Sequence, residues 1–385
     1  MLAYDRRRDD GGRNATTTGE DAMTAATRPR SALHTLATHG GSIAHWALVL
    51  AALGYLAWQS PDLVRAAVAA RDPLADLSWT WTGVCALLAV AALALYGELH
   101  RRLLVVADAS VGVGQMQAIT FAENAISNTV PVVGGAGSMA YSIARLRRRG
   151  VDATLASWSV VLPGALSTIV LIVVAMVVAG IAGWLPPWSA VVLAMVVALG
   201  SAGLWAVLTR PAVLRRALTG LLHVGRRLPW LCRHCRGVWA LDPDAVSDRL
   251  AARIGLLRPT APQWLVLICL ATVSWGLDYL ALAAAAAAVG IPVLWVPLAL
   301  GFLAVQASIA LQILPGGAGL AEVGLLGALV AAGVGAGPAA ATVLVYRLIT
   351  WLGLSVIGWV VYAVQIHAGP RHRHRHAAEL AAHPA

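Results

Sequence analysis

The sequence predicts an all-α integral membrane protein with six full spans and two glycine-broken re-entrant hairpins, related to each other as an inverted-topology repeat. Three features carry that prediction. The 385 residues are 59% hydrophobic and 12% charged, with a mean hydropathy of +0.74, a balance outside the range of soluble domains. Apolar runs long enough for a bilayer core, which takes about 20 residues per helix, recur along the chain. Two further apolar segments are each interrupted by the same string, Gly-Gly-Ala-Gly.

Residues 1–40 are rich in Arg, Asp, Thr and Gly and hold no short apolar run ending in a small-residue cleavage site, so no signal peptide is expected. They read as a disordered cytoplasmic tail, with Met23 an alternative start. The first membrane repeat, 41–208, contains spans at 41–59, 77–98, 153–180 and 188–208. No charge lies between Ala153 and Thr209, and Trp184 and Trp188 flank the Pro186-Pro187 turn as interfacial aromatics do. Between the second and third spans, segment 108–146 is broken by Pro131-Val-Val-Gly134-Gly135-Ala136-Gly137. Arginines at 101–102 and 145–149 stand at its two ends, so the segment returns to the side it left: a hairpin, not a crossing.

Next comes an Arg-rich cytoplasmic loop, 209–261. In it Leu214, Ala217, Leu218, Leu221 and Leu228 keep helical spacing while Arg215, Thr219, His223 and Arg226 fall opposite. That pattern predicts an amphipathic helix lying on anionic lipid. The second repeat, 262–366, has spans at 262–288 and 338–366 around hairpin 293–334, broken at Pro315-Gly316-Gly317-Ala318-Gly319. A basic His/Arg cytoplasmic tail, 367–385, follows.

Charge fixes the expected orientation. Of 28 positive residues, all arginine, 25 fall on one side of this threading, Arg65 and Arg71 on the other, and Arg347 within the membrane. The positive-inside rule then makes both termini cytoplasmic. With no lysine in the chain, a P-loop nucleotide site and a lysine Schiff base are excluded. The net charge of +10 points to the membrane surface rather than nucleic acid. Cys232-Arg-His-Cys235 lacks a second pair, so no metal is expected, and no cofactor is implied.

The two breaks align: Gly134-Gly135-Ala136-Gly137 with Gly316-Gly317-Ala318-Gly319, and later Gly150-Val151 with Gly333-Val334. Each match leads into an alanine-rich span, and parity makes the hairpins enter from opposite sides. Secondary transporters are built this way, with facing breaks near the midplane. Four charges lie inside the predicted membrane segments, Glu123, Asp278, Glu322 and Arg347, each calling for a partner or a purpose. Arg347 and free amides near Gly316, Gly317 and Gly319, at a half-helix start, suit a lipid phosphate; alternatively Glu322 and Arg347 form an ion pair pinning hairpin to span. Gln117, Thr120, Glu123, Asn124 and Asn128 make a polar stripe that lines a wet cavity or bonds between helices. Asp278 is either a proton-coupling carboxylate or a hydrogen-bonded structural one. No His-Asp or Ser-Asp arrangement is expected within the spans, since the histidines gather in tails and loop; the protein is not expected to be an enzyme.

Asn128-Thr-Val-Pro131-Val-Val-Gly134-Gly135 with Leu146-Arg-Arg-Arg-Gly150, then Leu314-Pro315-Gly-Gly-Ala-Gly319-Leu-Ala-Glu322 with Tyr346-Arg347-Leu348, resemble the lysylphosphatidylglycerol synthase transmembrane, or flippase-like, family. The resemblance covers about 45–366 and implies translocation of a phospholipid. In the fused bacterial enzymes of that family this region is thought to move an aminoacylated phospholipid made by an attached synthase domain. The chain ends soon after its last span, so it is not expected to make a lysyl-lipid itself. It also departs from the family in the first repeat, carrying Ser138 and Leu162-Pro163-Gly164 where many members carry charged residues.

Two functions follow as expectations. One is a translocator of an anionic phospholipid or lipid-linked precursor in the cell membrane. The other is a non-transporting scaffold or regulator that docks an envelope-synthesis protein through its Arg-rich loop. A cavity containing Arg347 and open to the bilayer favours the first, a collapsed interior the second. Residues expected at the substrate are Pro131, Gly134, Gly135, Gly137, Glu123, Asn124, Asn128, Asp278, Pro315, Gly316, Gly317, Gly319, Glu322 and Arg347.

Overall fold

The computed structural model describes residues 74–107, 109–130, 133–208, 259–311 and 314–368, with isolated positions 210, 213 and 216. All lie in the compact unit Tyr55–Ala385. The span predicted at 41–59, Pro131, nearly all of loop 209–261 including Cys232 and Cys235, and all but the first two residues of the tail from 367 lie outside the described residues.

Every element among the described residues is helical. In chain order they are α1 (Trp79–Val106), α2 (Val113–Thr129), α3 (Gly134–Arg147), α4 (Ala153–Ile181), α5 (Pro187–Leu208), α6 (Ala261–Ala288), α7 (Trp295–Leu311), a 3₁₀ turn (Pro315–Gly317) and α8 (Leu320–Ala331). Then α9 (Ala336–Arg347) passes through a π-helical stretch, Leu348–Gly353, into α10 (Leu354–Ala368). Five of these stretches are long and apolar enough to cross a membrane: α1, α4, α5, α6 and the continuous run Ala336–Gln365. They coincide with five of the six expected spans. Helix pairs α2/α3 and α7/α8 occupy the two glycine-broken segments.

Local chemistry sets the ends. Asp152 caps α4 by accepting from the Thr154 amide at 3.0 Å, and the Thr260 amide donates to Gln263 Oε1 at 2.7 Å to open α6. Inside α4, Pro163 has no N–H for the Ser159 carbonyl, a lesion tolerated where neighbouring groups compensate.

Lipid is as apolar as leucine, so helices associate in it through close packing of small residues rather than by the hydrophobic effect. α1 meets the alanine run of α6 with Cys85 and Ala89, and Ser274 Oγ donates across to the Ala92 carbonyl at 2.8 Å. α5 seats Ala190 against Gly180 of α4; its outer face, with Val191, Val196, Leu199 and Leu204, stays exposed, as a lipid-facing helix does. Gly324 lies against Ala304 in the α7/α8 pair. At Gly358, α10 lies so close to the Phe121 carbonyl and Ala125 of α2 that a side chain has no room.

Candidate functional site: an intramembrane cavity

Between these helices lies a cavity of about 400 Å³. α1, α2, α3, α4, α6, α7 and the α9 to α10 run all contribute to its wall, which includes Glu123, Asn124, Asn128, Gly135, Ser138, Asp278, Gln306, Tyr346, Arg347 and Trp351. Met139, Thr168 and Ala310 on its lining are exposed, so the space reaches the protein's surface. Polar groups at membrane depth are tolerated where they line such a space.

The breaks meet beside it. Asn128, Gly134 and Gly135 from the first and Pro315 and Gly316 from the second line one small shared pocket. Trp351, in the π-helical stretch, ties them together: its indole N–H donates to the Asn128 carbonyl at 3.2 Å, and its ring lies against Gly316. Gly316 has φ +59° and Gly317 +68°, in the left-handed region where glycine alone is unstrained. A π-helical turn re-aims the side chains it carries, and here it sets Trp351 between the two halves.

Arg347 is 3% exposed and Glu322 32%. The guanidinium Nε donates to Glu322 Oε1 at 2.6 Å and Nη2 to the Gly316 carbonyl at 2.6 Å. Glu322 Oε2 accepts from the Gly319 amide at 2.5 Å, closing the start of α8. The predicted pair therefore forms and pins the second break to α9, while Arg347 still lines the cavity. Nη1 has no acceptor among the described residues.

Across the cavity, Asp278 accepts from Tyr346 Oη at 3.0 Å and Gln306 Nε2 at 3.0 Å. Glu123 accepts from Ser142 Oγ at 2.8 Å, and Asn128 Nδ2 donates to Asn124 Oδ1 at 3.0 Å. Ser138 donates to the Gly135 carbonyl at 2.9 Å and, with Gly164, lines the cavity. Ser138 and Gly164 thus both face the cavity.

Three expectations need correction. Glu322, Gly137, Gly317 and Gly319 line neither cavity. Amides at the second break are not free for an anion: Gly317 N–H goes to the Leu314 carbonyl at 3.0 Å and Ala318 N–H to Pro315 at 3.2 Å, and Gly319 N–H to Glu322. The glycines there let the backbone fold back on itself and satisfy its own donors. Lastly, a histidine does stand within a span. His100, on α1, is fully buried, and its Nδ1 lies 4.0 Å from Glu123 Oε2. In the sequence it reads as part of the boundary, because Arg101 and Arg102 follow it; those two instead fold back onto Glu98 at 2.6 and 2.7 Å. Gln306 and Trp351 also escaped the sequence reading, and Tyr346 entered it only within a motif, since aromatic and amide residues in an apolar helix look like packing.

The family model described as lysylphosphatidylglycerol synthase TM region matches residues 43–358. No curated protein matches the chain.

Proposed function

The chain belongs to the lysylphosphatidylglycerol synthase transmembrane family, and on that premise we propose that it is a translocator of a lipid or lipid-linked precursor rather than an enzyme. Family membership makes it a membrane protein related to lipid handling. The observation that carries the finer reading is the cavity of about 400 Å³ with Arg347, Asp278 and Glu123 on its wall. An intramembrane charge costs about 2.5 to 3.5 kcal/mol on insertion scales, so three charges around a space open to the surface are a costly arrangement for a static scaffold.

In this reading a phosphate-bearing headgroup enters the cavity and one of its oxygens accepts from Arg347 Nη1, a charge-assisted bond, while the acyl chains stay in lipid. The two glycine-broken pairs act as re-entrant hairpins of an inverted repeat. Their breaks sharing one pocket, and the like order of long and broken helices in the two halves, support that. The arginine distribution supports residence in the cell membrane with both termini cytoplasmic.

The test is movement of headgroup-labelled lipids by the purified full chain in phosphatidylglycerol/phosphatidylethanolamine vesicles, over a panel of anionic and aminoacylated headgroups. Gly164→Leu is the blocking variant. Gly164 lines the cavity, and the nearest atom to a Cβ added there is Tyr96 Oη at an ordinary 3.8 Å, so the substitution starts without a backbone clash and its further carbons extend into the cavity side. Lipid movement should stop while insertion and stability remain. Normal movement in that variant removes the cavity from the route, and wild-type protein that moves no lipid leaves the scaffold reading standing.

A further inference from the structure

We propose that His100 and Glu123 together form a proton-binding site behind the cavity wall, whose loading sets the charge that the cavity presents to its ligand. The last clause rests on the translocator reading; the site itself does not.

Among the described residues neither ring nitrogen of His100 has a hydrogen-bond partner, although the residue is fully buried. A buried polar atom without a partner costs about 1 to 3 kcal/mol, and an imidazole carries two. Around it the same condition repeats: Gln117 Oε1, Thr120 Oγ1 and Asn124 Nδ2 are also buried and unpartnered. Gly97, on α1, makes room for two of them, since an added side chain would come within 2.7 Å of Gln117 Oε1 and 3.0 Å of Thr120 Oγ1. Five such atoms along one α1/α2 seam describe a place built for water or for an exchanging proton.

Glu123 joins this seam to the cavity. Its carboxylate is held by Ser142 on α3, lines the cavity and stands 4.0 Å from His100 Nδ1, a gap that a small side-chain rotation or one water closes. Other titratable groups nearby are otherwise engaged. Tyr96 on α1 stacks against the imidazole at 4.7 Å between ring centroids and lines the cavity. Asp278 on α6 is taken by Tyr346 and Gln306, and Arg347 on α9 by Glu322. Tyr141 and Arg145 on α3 stack at 5.5 Å, with the Tyr141 hydroxyl bonded to Gln365 on α10 at 2.9 Å; Tyr362 packs on Tyr141. Helix α4 carries no titratable side chain.

One proton belongs to the pair rather than to either member. Loaded, it is a protonated carboxyl beside neutral imidazole, or imidazolium beside carboxylate; either way the pair is neutral and fits an apolar interior. Unloaded, neutral imidazole faces a carboxylate and the pair carries one negative charge at the cavity wall. The proton comes from cavity water onto a Glu123 oxygen, is shared with His100 Nδ1, and leaves by the same oxygen. Carboxylate and histidine chains of this kind serve as proton relays in pumps and transporters.

The first measurement needs no lipid movement. Infrared titration of the full chain in vesicles should show a carboxyl C=O band that disappears in Glu123→Gln and moves along the pH axis in His100→Gln. Asp278→Asn should leave that band in place. Ser142→Ala, which keeps the imidazole, should move the band as well and serves if His100→Gln does not fold. A band unmoved by His100→Gln in folded protein overturns the proposal, whatever Ser142→Ala does. The second measurement imposes a pH gradient. One unit of gradient offers a coupled single-proton step about a tenfold bias, so wild-type lipid accumulation should respond by up to that factor and lose the response in His100→Gln. Lipid movement indifferent to the gradient in wild type removes the coupling. Wild-type protein that moves no lipid but keeps the titrating band would overturn the translocator reading and leave the proton site intact.

Discussion

The two glycine breaks share a string of four residues but are held in opposite ways. At the second, three glycines take positive φ angles, three successive amides close on acceptors within the turn and at Glu322, and Arg347 clamps the Gly316 carbonyl. At the first, α3 simply begins at Gly134, no ion pair crosses the break among the described residues, and it is tied to its surroundings by neutral hydrogen bonds, from Trp351 to the Asn128 carbonyl and from Trp359 to Thr129, with unpartnered polar atoms close by. The second break is charge-locked; the first is close-packed at Gly134, where an added side chain would come within 2.6 Å of the Ser127 carbonyl, but carries no such lock among the described residues. The same four-residue string thus takes two different backbone arrangements in the two halves.

Charge removal should separate the halves most. Losing one member of a buried pair costs about 3 to 5 kcal/mol, and Arg347→Gln, which leaves the Glu322 carboxylate without its counter-ion, should cost an amount in that range. Joint substitution of Glu322 and Arg347 by Gln should cost less than Arg347→Gln alone. Glu123→Gln in the first half should cost under about 1 kcal/mol, since it removes a charge that has no fixed counter-ion there. Thermal unfolding in detergent reads all three. Equal losses for Arg347→Gln and Glu123→Gln would contradict the comparison.

Backbone geometry gives the next largest effect. Gly316→Ala puts a side chain at φ +59° and against the Trp351 ring, so about 2 kcal/mol should be lost, left-handed strain alone accounting for about 1 to 2. Gly137→Ala should be neutral or stabilising by up to about 1 kcal/mol, because its added carbon meets only Ile126 Cγ2 at an ordinary 3.7 Å. A stability loss at Gly137 as large as that at Gly316 would show that the start of α3 is packed more closely than its 3.7 Å approach to Ile126 allows.

Much of this fold was legible because spans are written in length and composition, and those survive any detail of packing. Glu322 and Arg347 were legible as a pair because isolated charges in apolar helices have few ways to be satisfied. His100 was not, because adjacent arginines mark a boundary without saying that the residue before them turns inward. Nor was the state of the second-break amides: the sequence shows glycines, and only backbone angles decide whether their donors point at a ligand or at their own turn. The π-helical stretch leaves no compositional trace at all, so the role of Trp351 in joining the halves needed coordinates.

That junction should break more gently than the breaks themselves. Trp351→Phe keeps an aromatic ring against Gly316 but removes the indole donor from the Asn128 carbonyl, a loss of about 1 kcal/mol. If lipid movement depends on the halves shifting about this contact, its rate should change in the same variant while the Arg347 clamp persists.

The smallest effect should come from Asn124→Ala, and its smallness is the point. A side-chain bond in a dry helix interface leaves its orphaned partner unsatisfied when broken, at about 1 to 3 kcal/mol. Asn124 bonds Asn128 on the cavity wall, so water can take its place, and bridging water is nearly as good a partner. The loss should stay below about 0.5 kcal/mol, well under that of Trp351→Phe. A matching pair of losses would mean that the cavity excludes water, that the unpartnered atoms around His100 are truly unsatisfied, and that the first half is held as rigidly as the second.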